Sequence, residues 1–418
     1  MKTRFYQIAF SIFLLASVIF LSGCKKEKSC SEIRTYTYYT PVYQTAAIVR
    51  ANIKSDAART IVNPGKIYIK GNYIFLNEMN KGIHVIDNSN PASPVNMSFI
   101  SMPGNVDIAV KGNTMYADFY TELVVLDITE PLNVRVKKFV ENIFSERSYY
   151  GYYVDSNLVI TDWVKKTETV DVGCDRNIFF EGVMMNSADA GFKTSGSMAS
   201  PVGIAGSLAR FSLINNYLYS VSDNLLRVIN IDVPHEPRHT NSINLGWGIE
   251  TIFPFNDKLF IGSRSGMFIY GLQNPASPSF LGSFAHVRTC DPVIADGDYA
   301  YVTLFSGSTC LGFTNQLDVL NISNINNPTL VRTYQLSSPR GLSKDGNLLF
   351  ICDAKDGLQV FNAANPASIT LQKTFPIMQP TDVIAYNNIA LVIANDGLYQ
   401  YDYSNASDIR LLSKISVP

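Results

Sequence analysis

A unit of about forty residues returns along most of this chain, and nothing else constrains the fold as strongly. Its clearest copies are Gly82-Ile83-His84-Val85-Ile86-Asp87 leading into Asn90-Pro91-Ala92-Ser93-Pro94, Gly266-Met267-Phe268-Ile269-Tyr270 leading into Asn274-Pro275-Ala276-Ser277-Pro278, and Gly357-Leu358-Gln359-Val360-Phe361 leading into Asn365-Pro366-Ala367-Ser368. Weaker copies occupy residues 122–131, 225–237, 316–328 and 397–406. The aligned positions Pro91, Pro131, Pro234, Pro275, Ile325, Pro366 and Ala406 lie about forty residues apart, except for gaps of 103 before Pro234 and 50 before Ile325. A second register runs upstream of each copy. It consists of tight-turn signals at Lys70-Gly71-Asn72, Lys111-Gly112-Asn113, Asp155-Ser156-Asn157, Asn215-Asn216, Asn256-Asp257, Asp296-Gly297-Asp298, Asp345-Gly346-Asn347 and Asn387-Asn388. These residues tolerate the positive φ that two-residue hairpin turns require. Eight turns predict eight units, so the long gap should hide a copy at residues 154–172, with 166–171 as a degenerate strand, followed by an insertion over about 173–206.

Each unit reads as four short strands; in the second they fall at 106–110, 114–118, 123–127 and 134–139. β-Branched and aromatic residues dominate these runs, and Asn-Pro stops the chain where a strand cannot continue. Four strands every forty residues is the blade unit of a β-propeller, whereas solenoid repeats are shorter or helical. The expected fold is therefore all-β: a propeller over residues 65–418 with eight four-stranded blades, or seven as the alternative count. Residues 24–64 precede it as a tether and leading segment, with helix-compatible spacing of Ala46, Ile48, Val49 and Ile53 across residues 45–59. A length of 418 residues would otherwise suggest two or three domains; a copied unit makes one.

The pattern Gly-hydrophobic-x-Val-hydrophobic-Asp followed by Asn-Pro-x-x-Pro resembles the LVIVD repeat, a propeller-type repeat of secreted bacterial proteins. The resemblance covers roughly residues 65–418 and implies a fold, while being nearly silent about activity. The recurring Gly-His and Trp-Asp of WD repeats, the Gly-Gly of kelch repeats and the Asp-box of sialidases are absent from the sequence.

The N-terminus reads as an address. Lys2 and Arg4 precede an apolar run from Ile8 to Leu21. At ~1.5 Å per helical residue that run spans about 21 Å, short of a ~30 Å hydrocarbon core, so it reads as a signal peptide over residues 1–23. Leu21-Ser22-Gly23-Cys24 resembles the bacterial lipobox. The resemblance implies cleavage before Cys24, a diacylglyceryl group on its thiol and an acylated amine, and two chains are enough for stable anchoring. The expected location is the bacterial cell envelope, at the outer membrane. Lys26-Glu27 matches a surface-export signal only partly, because Lys28 follows, so a surface or periplasmic orientation stays open.

Candidate chemistry is sparse. Lys plus Arg number 34 and Asp plus Glu 35, a net charge of -1 with no basic surplus, which excludes a nucleic-acid partner. His235-Glu236-Pro237-Arg238-His239 has the spacing of a zinc-protease helix, but Pro237 sits inside it and the repeat alignment puts it in an inter-strand turn. Asp353-Ala354-Lys355-Asp356-Gly357 and Asn395-Asp396-Gly397 likewise read as turns, not calcium loops, so neither metal nor cofactor is expected. With Cys24 assigned to lipid, Cys290 and Cys310 flank the first two strands of one lengthened unit, and an exported compartment permits a bridge between them. Cys352 reads as a buried small apolar residue, and Cys30 and Cys174 carry no assignment. Propeller ligands gather where each first strand begins, around the central channel. The polar residues projected there are Asn105, Asp107, Glu146, Arg147, Glu250, Asp291, Arg340 and Asp382. They would line a wet channel or form a ligand site. A membrane-anchored binding or scaffolding module with a protein or glycan partner is the favoured function. The alternative is a hydrolase or lyase using the channel carboxylates.

Overall fold

The computed structural model describes residues 33–149, 152–153, 157–171, 204–286, 292–306 and 314–418. The chain divides into two units, Met1–Thr40 with Trp163–Asn186 and Pro41–Asp162 with Ser187–Pro418. The second unit is a propeller of seven four-stranded blades, at residues 64–101, 108–140, 211–244, 249–285, 293–335, 339–375 and 380–416.

Every blade is four consecutive antiparallel strands; in blade 1 these are Pro64–Lys70, Tyr73–Glu78, Gly82–Asp87 and Val95–Ser101. Blades 3 and 4 share one continuous sheet because the strand Arg238–Phe255 serves as the outer strand of blade 3 and the inner strand of blade 4. The run Tyr217–Asn230 folds back on itself: the Ile231 amide donates to the Asn216 carbonyl at 2.8 Å, as the Asn88 amide does to Asn72 in blade 1.

The count is seven rather than eight because residues 166–171 are not a blade strand. They belong to Leu158–Asp171, which pairs with Ile33–Thr45. Lys165 to Glu168 are exposed, and such a run offers no apolar face to an adjacent blade. In the first unit the Thr35 and Thr169 hydroxyls meet at 3.0 Å, and the Tyr38 hydroxyl donates to Glu168 at 3.3 Å. The helix expected across 45–59 is confined to Ala46–Ala51; the strand Ser55–Ala57 then extends the outer edge of blade 1.

The core lies between blades. One cluster joins Ile67, Ile74, Leu76 and Ile86 of blade 1 to Ile384, Leu391 and Ile393 of blade 7. Fully burying each such side chain contributes roughly 1.5–3 kcal/mol. That seam closes the ring, assisted by hydrogen bonds from Gln400 to Asn88 at 2.7 Å and from the Ser413 hydroxyl to the Pro91 carbonyl at 2.6 Å.

The repeat motif explains itself in these contacts. The Asn90 side chain accepts the Ala92 amide and Asn365 accepts that of Ala367, an Asx turn that fixes the Asn-Pro corner. The carbonyl of the corner proline then receives a hydroxyl from the preceding blade: Tyr116 to Pro234 at 2.9 Å, Tyr219 to Pro275 at 2.8 Å and Tyr334 to Pro366 at 3.2 Å. These corners are thereby latches between neighbouring blades.

Candidate functional site

The middle of the propeller is crossed by its own chain. Residues 204–210 lead from the insertion into blade 3, and Ile204–Ala205 pairs with the free edge of the innermost strand of blade 1. The Ser207 amide and hydroxyl reach Asp382 Oδ1 of blade 7 at 3.2 and 3.3 Å, and the Ser207 hydroxyl accepts the Leu342 amide of blade 6 at 2.8 Å. The Ala209 carbonyl accepts the Ile252 amide of blade 4 at 3.0 Å. The Arg210 amide donates to Asp107 Oδ2 at the entrance to blade 2 at 2.7 Å. Gly206, Ser207 and Ala209 are buried, so the segment is a plug contacting five inner strands or their entrances. Glycine is required at Gly206, because a Cβ there would collide with the Asp382 carboxylate.

The residues projected onto a channel ring separate into distinct settings. Asp107 and Asp382 sit together at the plug, both buried. Asp107 also pairs with Lys66 Nζ at 2.8 Å and accepts the Ile108 amide at 2.8 Å. Burial holds the Lys66 ammonium below the ordinary lysine range, against the pull of Asp107. Asn105 bonds both the main chain and the side chain of Asp118, whose carboxylate in turn accepts the Val106 and Asp107 amides. Glu146 and Arg147 lie after blade 2, where Glu146 pairs with Arg227, Arg147 with Asp118, and the Arg147 guanidinium stacks on Phe144 at 4.2 Å. Arg340 stacks on Phe305 at 4.7 Å, and burial lowers its pKa. Glu250 binds Arg264 Nε at 2.8 Å. Asp291, Cys24, Cys30, Cys174 and the Cys290–Cys310 pair lie outside the described residues. Cys352 is a free, fully buried cysteine.

Asp382 is the unusual acid. Its Oδ2 has no hydrogen-bond partner among the described residues. Burial pushes its carboxyl up to about 7 from 3.8, opposed by the Val383 and Ser207 donors and by Lys66. A carboxyl raised in the folded state binds its proton more tightly there than in the unfolded chain, so its contribution is complete at acid pH and is lost as pH rises from about 4 through about 7. The loss between pH 5 and 8 should be about 2–3 kcal/mol. Asp382→Asn should remove that slope, read from urea midpoints of both proteins at the two pH values; equal slopes would refute the assignment.

Three acids near the ends of second strands have a role that sequence reading did not assign, although Asp353 was read there as part of a turn. Glu78 accepts the Val62 and Asn63 amides, Asp118 those of Val106 and Asp107, and Asp353 those of Ser337 and Ser338, each tying the chain as it enters the same blade. Their signal was an acid four residues before the start of the third strand: Glu78 before Gly82, Asp118 before Glu122, Asp353 before Gly357. Asp353 also accepts the Lys355 and Asp356 amides, so its loop is held by main-chain donors. His84, buried, meets Glu78 Oε2 at 2.7 Å. In the His235–His239 stretch no helix forms; Glu236 pairs with Lys138, and His239 meets the Ser242 hydroxyl at 2.9 Å.

The LVIVD repeat family matches residues 64–100, 104–140 and 288–335. No curated protein matches the sequence. Among solved structures, a protein from Lactobacillus plantarum aligns with a TM-score of 0.55 at 12% identity, covering 85% of this chain and 97% of that one. Sqt1 of Saccharomyces cerevisiae aligns at 0.50 and 8% identity, covering 85% of each chain. BamB of Moraxella catarrhalis aligns at 0.47 and 9% identity, covering 89% and 91%. At these identities the first two likenesses bear on fold alone. The chain is thus a seven-bladed β-propeller that carries LVIVD repeats.

Proposed function

We propose that this protein is an exported lipoprotein, anchored through Cys24, whose propeller serves as a binding or scaffolding module of the bacterial cell envelope. The observation that carries the binding reading is the plug. Asp107 and Asp382, two of the buried acids projected onto the channel, accept main-chain donors of residues 207–210. A hydrolase or lyase working in the channel would need those carboxylates facing substrate. With Asp107 and Asp382 engaged by residues 207–210, the binding reading assigns recognition to the faces and rim of the propeller. The anchoring reading rests on the positive start, the short apolar run and the Leu21-Ser22-Gly23-Cys24 sequence. In cells labelled with radioactive palmitate, the wild-type chain should carry label and sediment with membranes. Cys24→Ala should lose the label altogether; a Cys24→Ala chain still labelled and cut at the same place would overturn the anchor.

A further inference from the structure

We infer that this protein forms a two-fold symmetric dimer, in which the outer strand of blade 4, Ser279–Ala285, pairs antiparallel with the same strand of a second copy. A free sheet edge invites pairing with other chains, and proteins guard such edges with charge. The outer strands of blades 2, 3, 5, 6 and 7 are guarded in this way, by Arg135, Arg238, Arg332, Lys373 and Lys414. Two outer strands carry no charged residue. They are Val-Asn-Met-Ser-Phe-Ile-Ser at 95–101 in blade 1 and Ser-Phe-Leu-Gly-Ser-Phe-Ala at 279–285 in blade 4.

The chain itself shows what an unguarded edge takes up. In blade 1 the strand Ser55–Ala57 lies antiparallel along the edge, with Ser55 opposite Ile100, Asp56 opposite Phe99 and Ala57 opposite Ser98. The Ser101 amide also donates outward, to the Lys54 carbonyl at 3.3 Å. Blade 4 has no such cover among the described residues: Ser279–Ala285 is the last strand of its sheet. Ser279, Phe280, Ser283 and Ala285 on that strand are exposed.

The register of blade 1 transfers directly. Both outer strands bulge at the same place, so Gly282, Ser283 and Phe284 correspond to Ser98, Phe99 and Ile100. A strand centred on Phe99 in blade 1 is therefore centred on Ser283 in blade 4. When the incoming strand is a second copy of residues 279–285, that centre lies on a two-fold axis. Ser283 then faces its own counterpart, and Phe284 of each copy falls opposite Gly282 of the other, where an aromatic covers the bare backbone of a strand glycine. Both subunits use the same surface, so the contact closes at two copies. Two uncharged strands meet without repulsion, while the charged edges of the other blades oppose further growth. Phe280, 55% exposed, adds an apolar side chain beyond the paired residues.

The test is the mass of the full chain, purified in detergent, by sedimentation over a range of protein concentrations with the detergent matched by solvent density. Two copies per particle are expected. Ser283→Lys sets like charges opposite each other at the axis and should raise the dissociation constant about ten-fold or more. Ser283→Glu should do the same, and a mixture of these two variants should recover the dimer. Thr374→Lys, at the equivalent exposed position of blade 6, should leave the dimer intact. A monomeric wild type, a Ser283→Lys protein that dimerises as wild type does, an equal loss in Thr374→Lys, or a mixture that stays monomeric would each overturn the pairing.

Discussion

Lys66→Met is expected to destabilise the propeller by about 3–5 kcal/mol, the usual cost of leaving one member of a buried ion pair alone. Lys66 is 7% exposed and Asp107 is fully buried, so water cannot take over the missing charge. Asp107 would keep the Ile108 and Arg210 amides, which orient the carboxylate but carry no net charge to neutralise it. The cost should therefore be electrostatic and reversible in the second partner: Lys66→Met with Asp107→Asn should recover most of the stability lost. Urea denaturation of the two single variants and the double variant supplies the cycle. Strictly additive losses would show that Lys66 and Asp107 do not act as a pair.

The second large effect belongs to the glycine that opens the third strand. Gly82 has a φ of +149°, and an added Cβ would run into the Ile100 carbonyl of the neighbouring strand, with the Phe99 ring at 2.8 Å and the Met102 amide nitrogen at 3.0 Å. Two of those obstacles are backbone atoms that cannot rotate away. Backbone strain of roughly 1–2 kcal/mol and overpacking of roughly 1–3 kcal/mol together put Gly82→Ala at about 3 kcal/mol. Gly71→Ala supplies the contrast: its φ is +55° with nothing within 4 Å of the added carbon, so only the conformational part applies. Thermal midpoints of the two variants should differ plainly; equal shifts would mean that crowding at Gly82 is relieved by blade movement. The same crowding recurs at Gly266, Gly357 and Gly397 against the Phe284, Phe375 and Ile415 carbonyls, which is the physical reason these copies of the repeat carry a glycine there.

What could be read in advance follows the reach of each interaction. The blades were legible because their signals are local: turns such as Gly71 and Asn388, the corner at Asn90-Pro91, and four strands within forty residues. In the second unit the expected strands lie within two residues of those observed. The miscount came from a segment with a good turn signal and a genuine strand, residues 155–171, whose partner is Ile33–Thr45, more than a hundred residues upstream. Nothing local in Leu158–Asp171 names that partner. Two of the acids projected at the start of inner strands, Asp107 and Asp382, are buried. Their occupant was not legible, because Gly206 and Ser207 border a stretch whose Gly and Ser content reads as an ordinary loop.

The plug also sets an order of events. Ser207 and its acceptor Asp382 are separated by 175 residues. Until the last blade is in place, the plug lacks the acceptor that fastens it. The protein is in this sense bolted from the inside by its final blade, and an incomplete chain lacks its lock as well as its last wall.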